Sequence, residues 1–169
     1  MGYLASPARA ALVTSALLAL ATLAAGCGKE IGDSCTFDTD CDANGNRTCV
    51  DPTAGHGGYC SVLGCDYQSC PDEATCVRFF TGGFSNKACT DDTGCTEDEL
   101  CAIEGQCVPR SSEVRYCMKK CDDNGDCRDG YECRTFDLAR QHGGEAVLAP
   151  GTPVDKDTSP KFCAVAPTG

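Results

Sequence analysis

Apolar residues are distributed along this chain in two ways. Near the N-terminus an unbroken apolar run extends from Ala10 or Ala11 to Leu23, preceded by one charge, Arg9, and followed by the small residues Ala24-Ala25-Gly26. From Cys27 onward apolar side chains stand singly or in short runs between turn-forming clusters such as Asp42-Ala-Asn-Gly-Asn46, Gly55-His-Gly-Gly58 and Asp122-Asp-Asn-Gly-Asp126, which favour Asx-turns and positive φ. The first run is shorter than the roughly 20 residues of a permanent membrane span. Its layout is that of an export signal over residues 1–26 that is cleaved rather than kept as a span. Strands after it should be short. The best hairpin is Val77-Arg-Phe-Phe-Thr-Gly-Gly-Phe-Ser85, with Gly82-Gly83 as a two-residue turn. Other brief strands are expected to flank Cys107 and Cys133. Residues 28–34 read as a short tether after Cys27, residues 137–162 as a mobile loop rich in Gly, Pro and Ala, and residues 164–169 as a frayed tail.

Composition explains why regular elements are scarce. Only 21 of the 143 residues from Cys27 onward are Leu, Ile, Val, Phe or Met, and the chain has no Trp. That is too little apolar bulk for an ordinary core, and it argues against a large enzyme fold. The chain also holds 17 cysteines, a density that marks a disulfide scaffold. Cross-links restrict the unfolded ensemble and so supply the stability that burial does not. The fold class expected is therefore small and disulfide-rich, two tandem modules of short β-hairpins and loops with little regular secondary structure.

The cysteines repeat. Cys35-Thr-Phe-Asp-Thr-Asp-Cys41 and Cys89-Thr-Asp-Asp-Thr-Gly-Cys95 share one pattern, and the stretch from Tyr59-Cys60 through Cys65, Cys70 and Cys76 resembles that from Tyr116-Cys117 through Cys121, Cys127 and Cys133. Dividing after Cys89 gives a first module at 35–89 and a second at 90–163, each with eight cysteines: Cys35, Cys41, Cys49, Cys60, Cys65, Cys70, Cys76 and Cys89, then Cys95, Cys101, Cys107, Cys117, Cys121, Cys127, Cys133 and Cys163. Cys89 also aligns with Cys35, however. Read that way it opens the second copy and requires a bridge between modules. Spacing does not fix the pairing, since eight cysteines allow about 105 connectivities.

Ala24-Ala25-Gly26-Cys27 resembles the lipobox of bacterial lipoprotein precursors, with Leu23 one step before the position where that family prefers it. The resemblance implies cleavage before Cys27, lipid on its sulfur, and attachment to the cell envelope, at the outer membrane or cell surface. Parity agrees, because removing Cys27 leaves an even 16 cysteines that can all pair in an oxidising compartment. From Cys35 to Cys163 the framework resembles EGF-like and Dickkopf N-terminal disulfide repeats, as in Asp126-Cys127-Arg-Asp-Gly-Tyr-Glu-Cys133, although the Cys-x-Cys step of a true EGF module is missing. The function these resemblances imply is a membrane-anchored exported lipoprotein displaying disulfide-stabilised binding or structural modules. Its partners would be the membrane, through the lipid, and an extracellular or periplasmic protein. A secreted protease inhibitor or receptor ligand and a calcium-stabilised adhesion module are the alternatives.

Formal net charge is -11, which excludes nucleic acid as the natural partner. One basic stretch, Arg110, Arg115, Lys119 and Lys120, reads as an exposed connector. Asp40, Asp42, Asn44 and Asp51 are spaced around Gly45 as in an EF-hand calcium loop, and calcium is the one cofactor this suggests. Thiolate binding of zinc or copper conflicts with export into an oxidising compartment. No catalytic role is expected, because Gly32-Asp33-Ser34 and the two His-Gly-Gly steps lack the strand-turn-helix setting that exposes a nucleophile. Phe79, Phe80 and Phe84 concentrate large aromatics and are candidates for a partner contact.

Overall fold

With so few aliphatic side chains available, local order has to come from covalent closure. The computed structural model describes residues 28–51 and 57–167. All cysteines from Cys35 to Cys163 are bridged within them, in four interleaved pairs: Cys35–Cys49 with Cys41–Cys60, Cys65–Cys76 with Cys70–Cys117, Cys89–Cys101 with Cys95–Cys107, and Cys121–Cys133 with Cys127–Cys163. In every set of four, the first cysteine joins the third and the second joins the fourth. We number these sets units 1 to 4.

The same local structure recurs in each unit. Unit 1 contains β1 (Ser34–Cys35), α1 (Asp38–Cys41), β2 (Thr48–Val50) and β3 (Gly58–Ser61). The remaining strands are β4 (Ala74–Phe80), β5 (Glu99–Cys101), β6 (Cys107–Pro109), β7 (Glu113–Lys119), β8 (Tyr131–Arg134), β9 (Glu145–Ala146) and β10 (Phe162–Val165). Third and fourth cysteines lie opposite each other on an antiparallel pair in all four units: Cys49 and Cys60 on β2/β3, Cys76 and Cys117 on β4/β7, Cys101 and Cys107 on β5/β6, Cys133 and Cys163 on β8/β10. Instead of bonding to each other, both reach back to the loop between the first two cysteines. That loop makes one helical turn, as α1, as 3-10 turns at Asp92–Gly94 and Asn124–Asp126, and as a turn closed by Ser69 N–H on the Asp66 carbonyl. The approach to the first cysteine then pairs beside the fourth, at Ser34 with Tyr59, Leu63 with Tyr116, Ala88 with Gln106 and Lys120 with Phe162.

Acidic and amide side chains hold the loops in this shape. The residue three after the first cysteine accepts the N–H of the third: Asp38 from Cys49 at 2.8 Å, Asp92 from Cys101 at 2.9 Å, Asn124 from Cys133 at 2.8 Å. Two residues further on, Asp40 accepts from Thr36 and Phe37, and Asp126 from Asp122 and Asp123. These backbone donors hold both carboxyls below their ordinary 3.8. Unit 2 has a shorter loop, with Gln68 at φ 57° and the Ser69 hydroxyl accepting from Asp66 N–H.

Sequence expectation and structure agree on a small disulfide-rich fold of short antiparallel ribbons and loops. The division after Cys89 does not hold, because Cys89–Cys101 and Cys70–Cys117 both cross it. Unit 3 is inserted whole between the third and fourth cysteines of unit 2, and Cys70–Cys117 is the bridge that the alternative alignment of Cys89 required. Val77–Ser85 is no hairpin, since β4 runs straight and pairs with β7, where the basic connector was expected. The 137–162 stretch is ordered in part as α2 (Phe136–His142), capped by the Thr135 hydroxyl on Leu138 N–H, and as β9 on the free edge of β4.

The main core joins units 1, 2 and 4 around Ile31, Tyr59, Val77, Met118, Tyr131 and Phe162. Tyr59 is wholly buried, its hydroxyl accepts from Lys119 N–H at 2.9 Å, and its ring stacks on Tyr131 at 5.4 Å. Arg128 lies over both rings and donates to the Gly57 and Gly58 carbonyls. Burial pushes the Tyr59 hydroxyl well above the usual tyrosine range. Gly58 has no room for a side chain, because a Cβ there would meet the Cys35 carbonyl oxygen at 2.3 Å and Cys49 Sγ at 2.4 Å.

Two outcomes are expected in denaturant titrations. Asn124→Ala should cost about 1 kcal/mol by stranding the Cys133 N–H, whereas Asn124→Asp, the residue type of units 1 and 3, should be close to neutral. Gly58→Ala should cost about 3 kcal/mol through overpacking against the first bridge; an unchanged midpoint would contradict the contact described.

Candidate functional site

Two features stand out beyond the repeated units, and both are built by the segment between Cys133 and Cys163. The first is a groove. Val147 N–H donates to the Cys76 carbonyl at 2.8 Å, extending the pairing of β9 with β4 by one bond. The chain then leaves the sheet and turns at Ala149–Thr152, with Gly151 at φ 82°. Asp155 closes the return by accepting from Asp157 and Thr158, which holds its carboxyl below 3.8. Between this arch and unit 2 lies an open groove of about 790 Å³, lined by Tyr67, Pro71, Thr75, Val147, Leu148 and Pro160 among others. Its walls are mixed in polarity, with Lys120 Nζ donating to the Asp72 carbonyl at 3.0 Å. Such a groove can seat an extended polar chain or a small molecule by surface fit and a few hydrogen bonds.

The second feature is a buried polar cluster where unit 3 meets α2 and β9. Arg134 is buried and donates to the carbonyls of His142, Gly143 and Val165, so that it caps the C-terminal end of α2 and ties it to β10. Its Nε bonds Glu132, whose Oε1 lies 2.7 Å from Nδ1 of His142. Glu145 is buried and ion-paired with Arg78 at 2.5 Å. Glu104, at the tip between β5 and β6, faces Gly143 so closely that a Cβ there would come within 2.9 Å of its Oε1. The other oxygen, Oε2, is buried with no hydrogen-bond partner among the described residues. Burial raises the carboxyls of Glu104 and Glu145 above the ordinary 4.5, in Glu145 against the pull of Arg78, and burial lowers Arg134.

The residues singled out from sequence are placed as follows. Cys27 lies outside the described residues. The cysteines from Cys35 to Cys163 all form bridges, and within each unit three of the sulfurs come within 4.8 Å of one another; sulfur in a disulfide is no thiolate ligand. Asp40 and Asp42 direct their carboxylates at backbone N–H groups, Asp42 bonding Asn44 and Asn46, and Asn44 is exposed. Among the described residues the structure does not gather Asp40, Asp42 and Asp51 into one cluster of ligand atoms. The three phenylalanines are separated. Phe79 and Phe80 are neighbours on a strand and so point to opposite faces, Phe79 against Tyr116 and Phe162, Phe80 against the small cluster of Leu100, Ala102 and Val108. Phe84 is 41% exposed.

Groove and polar cluster were both missed in the sequence because the 137–162 stretch reads as a loop. A signal was present. Thr135 followed by Asp137 in the first turn, Arg140 and His142 in the last, and Gly143 just beyond is the pattern of a capped helix. Comparison of the chain with protein-family models, with curated proteins and with solved structures found no match in any of the three.

A carboxyl with a raised pKa binds its proton more tightly in the folded state. Acidification from neutrality toward about pH 4.5 should therefore add stability, and raising the pH through the folded value should remove it. Glu104→Gln is expected to raise the thermal midpoint at pH 7, with the gain over the parent chain shrinking as the pH approaches 4.5. A gain that is the same at both pH values would remove Glu104 as its cause.

Proposed function

We propose that this chain is an exported lipoprotein, held in the cell envelope by a lipid on Cys27, whose disulfide-built units act outside the cytoplasmic membrane as a binding or structural module without catalysis. The observation that carries the reading is the cysteine account. All 16 cysteines beyond Cys27 are consumed in eight bridges, so Cys27 has no cysteine of this chain to pair with, and it follows the lipobox-like Ala24-Ala25-Gly26. Thioether formation with lipid gives that sulfur a use. Complete bridging also fits a compartment that oxidises thiols. Stable anchoring needs more than one acyl chain, which the diacylglyceryl group of this protein class supplies.

Labelled fatty acid should enter the full precursor when it is expressed in a host that processes lipoproteins. Cys27→Ala should abolish the label and release the protein from the membrane fraction. A Cys27→Ala chain that stays membrane-bound would overturn the reading.

A further inference from the structure

We infer that the face of units 1 and 2 around Gly28 lies directly on the lipid bilayer, with no spacer between anchor and fold. The inference rests on lipid at Cys27, as proposed above. Residues 28–34, expected as a tether, are instead part of the folded body. Lys29 N–H donates to the Cys41 carbonyl at 3.1 Å, and the Lys29 carbonyl accepts from Arg47 Nη1. Ile31 is 0% exposed in the main core, Gly32 N–H bonds the Cys60 carbonyl at 3.0 Å, and Ser34 already pairs with Tyr59. The fold thus begins one peptide from Cys27, and successive Cα atoms are only about 3.8 Å apart. A lipid on that sulfur leaves the domain no freedom to stand off from the surface.

What surrounds Gly28 suits that position. Gly28 is exposed and lines a shallow depression of about 600 Å³ shared by Asn46 and Arg47 of unit 1 and by Val62 and Pro71 at the start of unit 2. Asn46 is exposed on its rim, and Tyr67, 42% exposed, lines the neighbouring groove that shares Cys70 and Pro71 with it. Charges nearby are compensated in part. Arg47 pairs with Glu73 and Arg115 with Asp66, while Glu30, Asp33 and Asp72 are exposed. A weakly acidic face suits a zwitterionic bilayer, which does not repel it as anionic lipid would, and the amphipathic ring of Tyr67 matches its headgroup level.

The absence of Trp from the chain provides the test. Asn46→Trp and Tyr67→Trp each introduce a single reporter, and Phe84→Trp, between units 2 and 3, is the control. Each exported protein, with its eight bridges and its Cys27 lipid checked by non-reduced mass, is placed in phosphatidylcholine vesicles carrying brominated acyl chains. Emission should be quenched about twofold or more at 46 and 67, as for side chains held roughly 5–10 Å deep at the headgroup boundary, and little at 84. Equal quenching at all three positions, or none at 46 and 67 in lipidated protein, would overturn the inference. A mass without lipid would instead count against the proposed function. In that case a maleimide phospholipid coupled to the Cys27 thiol supplies the anchor, and the same quenching readout decides the face.

Discussion

Each unit depends on one constraint, the crossing of two disulfides over a short antiparallel ribbon. Bonding the third and fourth cysteines to each other would join two strands that already pair and would leave the preceding loop free. Sending each of them back to a different cysteine of that loop fixes a helical turn against the ribbon from two points. Three sulfurs then lie within 4.8 Å of one another in every unit, a small packed centre of sulfur where a larger protein would use Leu or Val. Closed loops limit the unfolded ensemble whatever the side chains between them. Those side chains are accordingly free to be polar, and the chain keeps its net charge of -11 without losing order.

The acidity has a second role that composition alone does not reveal. Asp38, Asp92 and Asn124 occupy one structural position and accept the same backbone donor, so part of the negative charge is the means by which the loop is shaped. Asp40 and Asp42 belong to the same economy of backbone hydrogen bonds. Their alternation around Gly45 resembles a cation loop because both kinds of loop place oxygens at alternate residues around a tight bend, here turned toward N–H groups.

Much of the fold was legible in the spacing of cysteines. The shared Cys-Thr-x-Asp-Thr-x-Cys pattern marks the openings of units 1 and 3, and the Tyr59 and Tyr116 stretches mark the closings of units 1 and 2 followed by the openings of units 2 and 4. Strand pairing was not legible, because the partner of β4 is β7, beyond an entire inserted unit, and no local signal reports that distance. Phe79 and Phe80 look like one patch in sequence yet serve two cores, since strand geometry rather than adjacency decides their faces. Groove and polar cluster were illegible for a related reason. Both come from chain that the repeat does not govern, the span between third and fourth cysteines, which in unit 3 is a tight turn and in unit 4 carries α2, β9 and the arch around Asp155.

The nesting of unit 3 inside unit 2 makes the closure of unit 2 the long-range step of oxidation. Cys70 precedes its partner Cys117 by 47 residues, and all four cysteines of unit 3 lie between them. In any oxidation that advances from the N-terminal end, the Cys70 thiol has to wait while Cys89, Cys95, Cys101 and Cys107 pass within reach, each a thiol able to capture it. Units 1, 3 and 4 can close on their own residues, whereas unit 2 needs Cys117, which such an oxidation reaches only after the last cysteine of unit 3. The fidelity of that one late bridge then rests on thiol-disulfide exchange, by which a mispaired Cys70 is released through thiolate attack and given another trial.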